Sequence, residues 1–452
     1  MKLSIKNGLV LLACCALLGL AGCKKSSSSN YNVTVNVSGL LGSGLVLQLN
    51  SAYNLPVVAN GVVTFTTQLS NTTAYTVAVL KPPVGPAQNC TLTNASGVIA
   101  SANVNNIALV CAPVELAYLT NSAANTIVPY YLDVGAGGLS SAAPATASGN
   151  LPVAFAVSPS GRFAYAVNQL DKTVSAYLAN STNGVLLSAG AAIGTGSSAV
   201  PAGMPNAVAV DPSNQYVYVT DSAANSISGF TINSSNAALT CVGNNAGTCP
   251  AMPVVSALTG ASALTTTQSG SAEYLFATSA DGHVYQYTIN AGGTLAFNNA
   301  IACGNGPVAI AATPGTGAFV YVVNATDATV SGYANHSGVL SSTGTAVTTS
   351  GTSPAAIAIN PAGTFAYVVN AGSKSLITYS ISVSGQLTPV GTSATGHMPV
   401  SVSVDPKGLF VYVADKLDGS VFVYPIAANG STGVGVPQLL GNAPVSIVTL
   451  AN

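Results

Sequence analysis

The chain has 452 residues, of which 49% are hydrophobic and 5% are charged, and its formal net charge is −1. An ordinary globular protein carries about 25% charged residues, so the surface here must be built mainly from Ser, Thr, Asn, Gly and Ala. The near-zero charge excludes the basic field that binding to nucleic acid requires. A surface with so few charges favours association at a cell surface or with other copies.

The first 23 residues have the pattern of a secretory signal. Lys2 and Lys6 supply a positive start, and residues 9–20 form a short apolar core. The segment ends in Leu-Ala-Gly-Cys at residues 20–23, which resembles the lipobox of bacterial lipoproteins. The resemblance implies cleavage before Cys23 and acylation of that cysteine.

Two outcomes are open for this signal, namely lipidation of Cys23 and ordinary secretory cleavage near Gly22. Lys24, behind the cysteine, resembles the sorting signal of outer-membrane lipoproteins in Gram-negative cells. Residues 24–30 (KKSSSSN) form a flexible polar tether. We therefore expect a protein anchored in the bacterial cell envelope, at the outer membrane, through lipid on Cys23.

Residues 31–112 contain short β patterns separated by Gly and Asn turns. These patterns read YNVTVNV, LVLQL, VVTFTTQL, YTVAVL, CTLTN and NIALVC. They predict a small antiparallel β-sandwich that acts as a stalk. Cys90 and Cys111 lie in its last two predicted strands, and in an exported protein they are expected to form a disulfide.

From Leu116 to Asn452 the sequence repeats a unit that reads as strand, turn and strand. The copies open with LAYLTN, FAYAVN, YVYVTD, YLFATS, FVYVVN, FAYVVN and FVYVAD, at residues 116, 163, 216, 274, 319, 365 and 410. Adjacent copies are 45 to 58 residues apart. This spacing predicts one four-stranded propeller blade for each copy, and therefore seven blades.

The phase of the repeats predicts how the propeller closes. Each opening motif is the second strand of a blade, and the first strands are predicted to begin at Pro152, Pro205, Ala261, Pro307, Pro354, Pro399 and Pro444. The repeats therefore begin with a second strand and end with a first strand, Val445–Leu450. We predict that this last strand completes the first blade and removes the exposed edge.

The repeat text resembles the YVTN repeats of the lactonase-like seven-bladed propellers, over residues 116–452. The resemblance implies an all-β fold, a seven-bladed β-propeller preceded by a small β-sandwich. The family includes bacterial 6-phosphogluconolactonases of the propeller type, a fungal muconate-lactonising enzyme and many surface proteins. The resemblance implies that the enzymes of this family use Arg, His and Glu side chains in the central funnel. Arg162 and Glu273, the only residues of their kinds in 116–452, lie instead in turns before second strands.

A ring of polar residues ends the predicted second strands. These residues are Asn121, Asn168, Asp221, Ser279, Asn324, Asn370 and Asp415. They could bind a cation or a glycan, but Asn and Asp at such places more often satisfy backbone N–H groups of a turn. The sequence has no zinc spacing, phosphate loop or nucleophile elbow, so no metal or other cofactor is predicted.

Two histidines are predicted on the face that carries this ring. His283 follows Asp281 and Gly282 in a tight turn, and His397 lies in the loop that leads into a blade. Both are weak candidates for a general base and are more typical of surface groups, because no second carboxylate or histidine is near in sequence. His336 is predicted to be solvated in a loop after a third strand.

The largest departure from the repeat is the connection from Leu239 to Ala261. It contains Cys241 and Cys249, which are expected to form a disulfide within a tolerated insertion, and Cys303 is left without an assigned partner. Long loops on a rigid scaffold are also where binding residues often lie.

Two functions follow from these observations. The first is a lipid-anchored binding module that contacts a glycan, a peptide or a neighbouring surface protein, with no role in nucleic-acid binding. Its candidate binding residues are Asp221, Asp281, His283, Asn324, Asn370, His397 and Asp415. The alternative is a lactonase-type hydrolase acting on a sugar lactone, and the shortage of ionisable residues favours the first function.

Overall fold

The computed structural model describes residues 29–83, 88–113, 115–133, 135–181, 183–195, 203–243, 258–441 and 443–450. Throughout these ranges the regular structure is β-strand, and they contain no helix that is long and apolar enough to cross a membrane. The chain divides into two compact units, one ending at residue 112 and one beginning at residue 113. Cys23 and the signal segment lie outside the described residues.

The first unit is a β-sandwich with one hydrophobic core. Its strands are Asn30–Tyr31, Val33–Ser38, Leu45–Leu49, Tyr53–Val57, Gly61–Thr64, Leu69–Ser70, Ala74–Lys81, Gln88–Thr93, Ser96–Val98 and Val104–Pro113. They form two four-stranded sheets and one two-stranded sheet. Alternating residues such as Val35 and Leu47, one from each larger sheet, are fully buried in the shared core because successive side chains point to opposite faces.

The predicted disulfide between Cys90 and Cys111 is confirmed. The prediction of a wholly antiparallel sandwich is wrong, because Val33–Ser38 and Val104–Pro113 pair in parallel. The two strands come from opposite ends of the unit, and the alternation of apolar residues carries no information on strand direction.

The second unit consists of seven antiparallel sheets, blades 1 to 7, each with four main strands. The first strands of blades 1 to 7 are Pro444–Leu450, Pro152–Val157, Pro205–Val210, Leu264–Ser269, Pro307–Ala312, Pro354–Ile359 and Pro399–Val404. The second strands are Glu115–Asn121, Phe163–Asn168, Tyr216–Asp221, Ala272–Ser279, Phe319–Asn324, Phe365–Asn370 and Phe410–Asp415. The third strands are Thr126–Leu132, Thr173–Ala179, Ser226–Ile232, His283–Ile289, Thr329–His336, Ser375–Ile381 and Ser420–Pro425. The fourth strands are Leu139–Ser141, Leu186–Ser188, Leu239–Cys241, Leu295–Ala302, Val339–Ser342, Leu387–Ala394 and Val436–Leu439.

Three short strands pair with the third strands of blades 1, 2 and 5. They are Thr146–Ala147, Ile193–Gly194 and Val347–Thr348. The first strand of blade 4 begins at Leu264, not at Ala261 as predicted. Residues 262 and 263 still exchange hydrogen bonds with Thr278, but regular pairing begins only at Leu264.

The predicted closure of the ring is confirmed. Pro444–Leu450 pairs antiparallel with Glu115–Asn121, and Ile447 lies opposite Leu119. The same strand is held to blade 7, because Ser401 Oγ accepts a hydrogen bond from the Ile447 N–H (3.2 Å). Each first strand also contacts the first strand of the next blade, so that the seven surround a central channel.

Several tyrosines at the third position of the opening motifs connect neighbouring blades. Tyr218 donates a hydrogen bond to the carbonyl of Gly293 (2.8 Å), and Tyr321 donates one to Gly385 (2.8 Å), each acceptor lying in a turn of the following blade. Both glycines have φ near +80°, which favours a residue without Cβ. A Cβ at Gly385 would also collide with the ring of Phe319, so this position of blade 6 requires glycine.

Every blade has two distinct ends. Because neighbouring strands are antiparallel, the turn between the second and third strands and the connection into the first strand lie at the same end. We call this end the upper face. The lower face carries the first-to-second turns and the third-to-fourth turns.

Candidate functional site

The wall of the central channel is nearly free of charge. None of the seven first strands, all of which are described, contains an ionisable residue. Their partly exposed side chains are mainly Val, Ala and Ile, with a few hydroxyl and amide groups such as Ser401 and Asn206. This wall therefore offers no cation to a phosphate or carboxylate and no side chain to transfer a proton.

The polar ring at the ends of the second strands is buried. Asn168 Oδ1 accepts a hydrogen bond from the Gly149 N–H (3.0 Å), while its Nδ2 donates to the hydroxyls of Thr173 and Ser175. Asn324 makes the same pattern with the Gly304 N–H. Each amide therefore ties the connection into its blade to the third strand.

The acidic members of the ring have the same role. Asp221 Oδ1 accepts from the N–H groups of Met204, Ala223 and Ala224, and Asp415 accepts from the Met398 N–H. All seven ring residues are at most 2% exposed. The ring residues that were binding candidates, Asp221, Asn324, Asn370 and Asp415, are thus enclosed in the fold, because the connections cover them.

His397 contacts a carboxylate that is 21 residues away in sequence. Its Nδ1 lies 2.6 Å from Asp418 Oδ1, and its backbone N–H donates to Asp418 Oδ2 (3.0 Å). The hydrogen bond from His397 lowers the pKa of Asp418 below its ordinary value. When Nδ1 carries the proton, Nε2 is left as an acceptor on the solvent side, since the His397 side chain is 65% exposed.

The same arrangement recurs with asparagine in other blades. Asn150 contacts Asp171 through its backbone N–H (2.7 Å) and its Nδ2 (2.8 Å), and Asn305 contacts Asp327 in the same way. The sequence signal for Asp418 is an acidic residue three positions after the end of a second strand. His397 thus occupies a stabilising position of the repeat, with an imidazole in place of an amide.

His283 lies farther from its neighbouring carboxylate than His397 does. It begins the third strand of blade 4, and its Nδ1 lies 3.5 Å from Asp281 Oδ2, which also accepts a hydrogen bond from the Tyr285 hydroxyl (2.8 Å). Burial acts to raise the pKa of Asp281, but hydrogen bonds from Tyr285 and Ser279 outweigh it and lower the pKa. Asp281 therefore remains ionised and holds the turn.

The cysteines near this region have different states. Cys303, whose N–H donates to the carbonyl of Gly282, is a free thiol, and burial raises its pKa to about 11. Cys241 is disulfide-bonded. Cys249 lies outside the described residues, so the pairing of Cys241 with Cys249 stays a prediction.

The family of this propeller is established by its sequence. The model of the family "Lactonase, 7-bladed beta-propeller" matches residues 108–200 and 265–448, which together are more than half of the chain. The chain belongs to this lactonase family. No curated protein gives a significant match.

Several solved structures are similar in fold to the lactonase propeller of this chain. It is similar to two candidate 6-phosphogluconolactonases, from Bacteroides fragilis and Bacteroides uniformis, with 18% and 17% identity and a TM-score of 0.63 for each. The matches cover 75% of this chain and 98% and 99% of theirs. The periplasmic gluconolactonase PpgL of Pseudomonas aeruginosa matches with 18% identity and a TM-score of 0.60, over 75% of this chain and 99% of PpgL. At these identities the likeness shows the fold.

The two histidine positions of this lactonase-family chain do not converge. His283 belongs to blade 4, and His397 leads into blade 7, so blades 5 and 6 lie between them on the shorter way around the ring. His336, predicted in a loop, is the exposed last residue of a third strand and lies toward the lower face. A site on the upper face can therefore use only one of these imidazoles.

Arg162 and Glu273 lie on the lower face, away from both histidines. Arg162 lies over the ring of Phe163, 5.3 Å from its centroid.

Glu273 and Asp211 lie close together, and the Ser213 hydroxyl donates to Asp211 and, at 3.4 Å, to Glu273 Oε2. Burial and the neighbouring Asp211 carboxylate raise the pKa of Glu273 to about 7. The unit also contains Glu115, outside the predicted repeats, whose carboxylate pairs with Lys407 (3.3 Å).

Proposed function

We propose that this chain is a lipid-anchored binding protein of the bacterial cell envelope. It contacts a neutral glycan or a weakly charged protein surface through the upper face of its propeller. The observation that carries this proposal is the channel wall without ionisable side chains. A phosphorylated sugar lactone would need a cation there to replace the water that it loses on binding.

The upper face has the chemistry that such a partner requires. Leu170 and Leu417, at equivalent positions of two second-to-third turns, are each 69% exposed. Met204 and Met398 are partly exposed in the connections into blades 3 and 7. Apolar tips among hydroxyl and amide groups suit a partner with little charge, because neither side then pays a large cost of desolvation.

The binding proposal is tested with paired leucine variants. Leu170→Asp and Leu417→Asp should each weaken binding to neutral oligosaccharides on an array, or cross-linking to partners in isolated envelopes, by at least about tenfold, since a charge then faces the partner. Val383→Asp is the matched control, because Val383 is fully exposed in a third-to-fourth turn on the lower face. Equal loss in all three variants, or no loss in the leucine variants, would contradict the proposal.

The anchor is tested separately. Cys23→Ser should move the protein from the detergent-extracted membrane fraction to the soluble fraction, because the acylated thiol is removed. A variant that still partitions with the membrane would rule out lipidation at Cys23. This outcome would leave the assignment of the upper face unaffected.

A second candidate function is hydrolysis of an uncharged sugar lactone, which the contact between His397 and Asp418 and the family favour. Asp418 would hold the Nδ1 proton of His397, and Nε2 would take a proton from a water that attacks the lactone carbonyl. His397→Ala should then abolish hydrolysis of glucono-1,5-lactone, and His283→Ala should not. The binding proposal predicts instead that the wild-type chain hydrolyses the lactone no faster than the uncatalysed background.

A further inference from the structure

The lower mouth of the central channel contains a cavity of about 430 Å³. This volume lies in the range of about 300–1,000 Å³ that is typical of small-molecule sites. The wall comes from the lower ends of the first strands of blades 1, 2, 6 and 7 and from the turns that follow the first strands of blades 2, 5, 6 and 7. The cavity is thus at the opposite end of the channel from the candidate residues of the upper face.

The lining of this cavity is apolar and includes four prolines from equivalent turns. Pro159, Pro314, Pro361 and Pro406 line it together with aliphatic side chains such as Val448 and Leu450. Its hydroxyl groups already have partners inside the protein. Ser158 Oγ accepts from the Phe163 N–H (3.1 Å), and Thr449 Oγ1 donates to the Val404 carbonyl (2.6 Å).

None of the lining residues is ionisable, and the charged residues nearest to them in sequence do not line the cavity. Lys407, which follows Pro406, pairs with Glu115 (3.3 Å). Arg162, which follows Gly161, lies over the ring of Phe163. A charged ligand would therefore lose its hydration in this cavity without gaining a charged partner from the lining.

The rim is held rigid before any ligand binds. Proline fixes φ in each turn, and buried polar groups brace the turns from behind. Asp405 Oδ1 accepts from the N–H groups of Leu409 and Phe410 (2.6 Å each), and Asn360 Oδ1 accepts from the Phe365 N–H (2.9 Å). A preformed apolar cavity binds with little cost of reorganisation.

We propose that the lower mouth binds a compact, uncharged, apolar small molecule, an alkyl or aromatic group. The concave shape, the apolar lining and the rigid proline rim carry this inference, and it is independent of the function of the upper face. Binding removes the apolar surfaces of the ligand and of the cavity from contact with water, and this removal provides the driving force.

The test uses the uncharged fluorescent probe N-phenyl-1-naphthylamine and the mature chain. Saturable one-site binding is expected, and Val448→Gln should raise the Kd at least tenfold, because an amide then enters the apolar wall. Val445→Gln is the matched control, since Val445 lies on the same strand toward the upper face and does not line the cavity. Pro361→Asp provides a second variant at the rim that leaves the strands intact, and it should weaken binding in the same way.

Three results would overturn the proposal. The first is the absence of saturable binding to the wild-type chain. The second is an equal Kd in Val448→Gln, Pro361→Asp and Val445→Gln. The third is a crystal structure in which the probe lies away from Val448 and Pro361, or in which a second copy of the chain fills the mouth.

Discussion

The imidazole Nδ1 of His397 lies 2.6 Å from Asp418 Oδ1, in the place where Asn150 of another blade donates its amide to Asp171. Both donors precede a first strand, and both acceptors lie in the following second-to-third turn. One position of the repeat thus accepts either an amide or an imidazole, provided that it donates to the carboxylate. Because an amide makes the same contact in another blade, the contact of His397 with Asp418 is explained by the fold and does not by itself indicate a chemical role.

His397→Asn should therefore leave the stability of the propeller nearly unchanged. His397→Ala should lower the free energy of unfolding by about 0.5–1.5 kcal/mol, the usual contribution of one hydrogen bond. Urea denaturation at pH 7 measures both changes. A large loss in His397→Asn would show that the imidazole makes a contact that an amide cannot replace.

The closing strand, Pro444–Leu450, should be a major source of stability. Ile447 is 3% exposed and packs with Leu119 and Tyr412 in one core cluster. Ile447→Ala should cost about 2–5 kcal/mol through lost transfer energy and a new cavity. Val445→Ala, on the same strand but half-buried, should cost clearly less in the same thermal denaturation experiment. Equal melting temperatures for Ile447→Ala and the wild type would contradict closure by this strand.

The hydroxyl groups of two equivalent tyrosines should contribute differently. Tyr218 donates to the buried carbonyl of Gly293 (2.8 Å), whereas the buried hydroxyl of Tyr412 has no hydrogen-bond partner among the described residues. Tyr218→Phe should therefore cost about 1–3 kcal/mol, because it leaves a buried acceptor unpaired. Tyr412→Phe should be neutral or slightly stabilising. Similar losses in the two variants, measured by denaturant unfolding, would show that hydrogen bonding is not what distinguishes them.

Glu273 should make the propeller less stable as the pH rises toward neutrality. Burial and Asp211 raise the pKa of Glu273 from 4.5 to about 7, so between these values the folded chain holds a proton that the unfolded chain releases. The free energy of unfolding therefore falls as the pH increases through this window. Glu273→Gln should make this decline shallower, and unfolding curves between pH 4.5 and 7.5 would measure it. A slope unchanged in Glu273→Gln would contradict the assignment.

The blades could be predicted from the sequence because their packing imposes a fixed pattern. The third residue of each opening motif, Tyr118 in the first copy and Tyr412 in the last, is a large aromatic that is fully buried. The closing strand followed from the phase of these copies alone. The start of blade 4 at Leu264 could not be predicted, because Ala261 keeps the position in the repeat while regular pairing begins later.

The candidate site was harder to predict than the fold. His397 and Asp418 are 21 residues apart, in two separate segments that meet only when the blade has formed. The polar ring was recognised in the sequence, but its hydrogen bonds to the connections, such as Asn168 to Gly149, depend on how each connection folds back. Periodicity specifies which residues form strands, and it carries little information on contacts between the loops that join them.

The closing strand also sets the order in which the molecule can be completed. Blades 2 to 7 are each formed from one continuous stretch of chain, whereas blade 1 joins residues 115–147 to residues 444–450. During synthesis the second strand of blade 1 emerges long before its partner and cannot pair on that edge until residues 444–450 have been made. Throughout that time Glu115–Asn121 presents an unpaired edge, so a stalled or truncated chain should be the form most prone to aggregation.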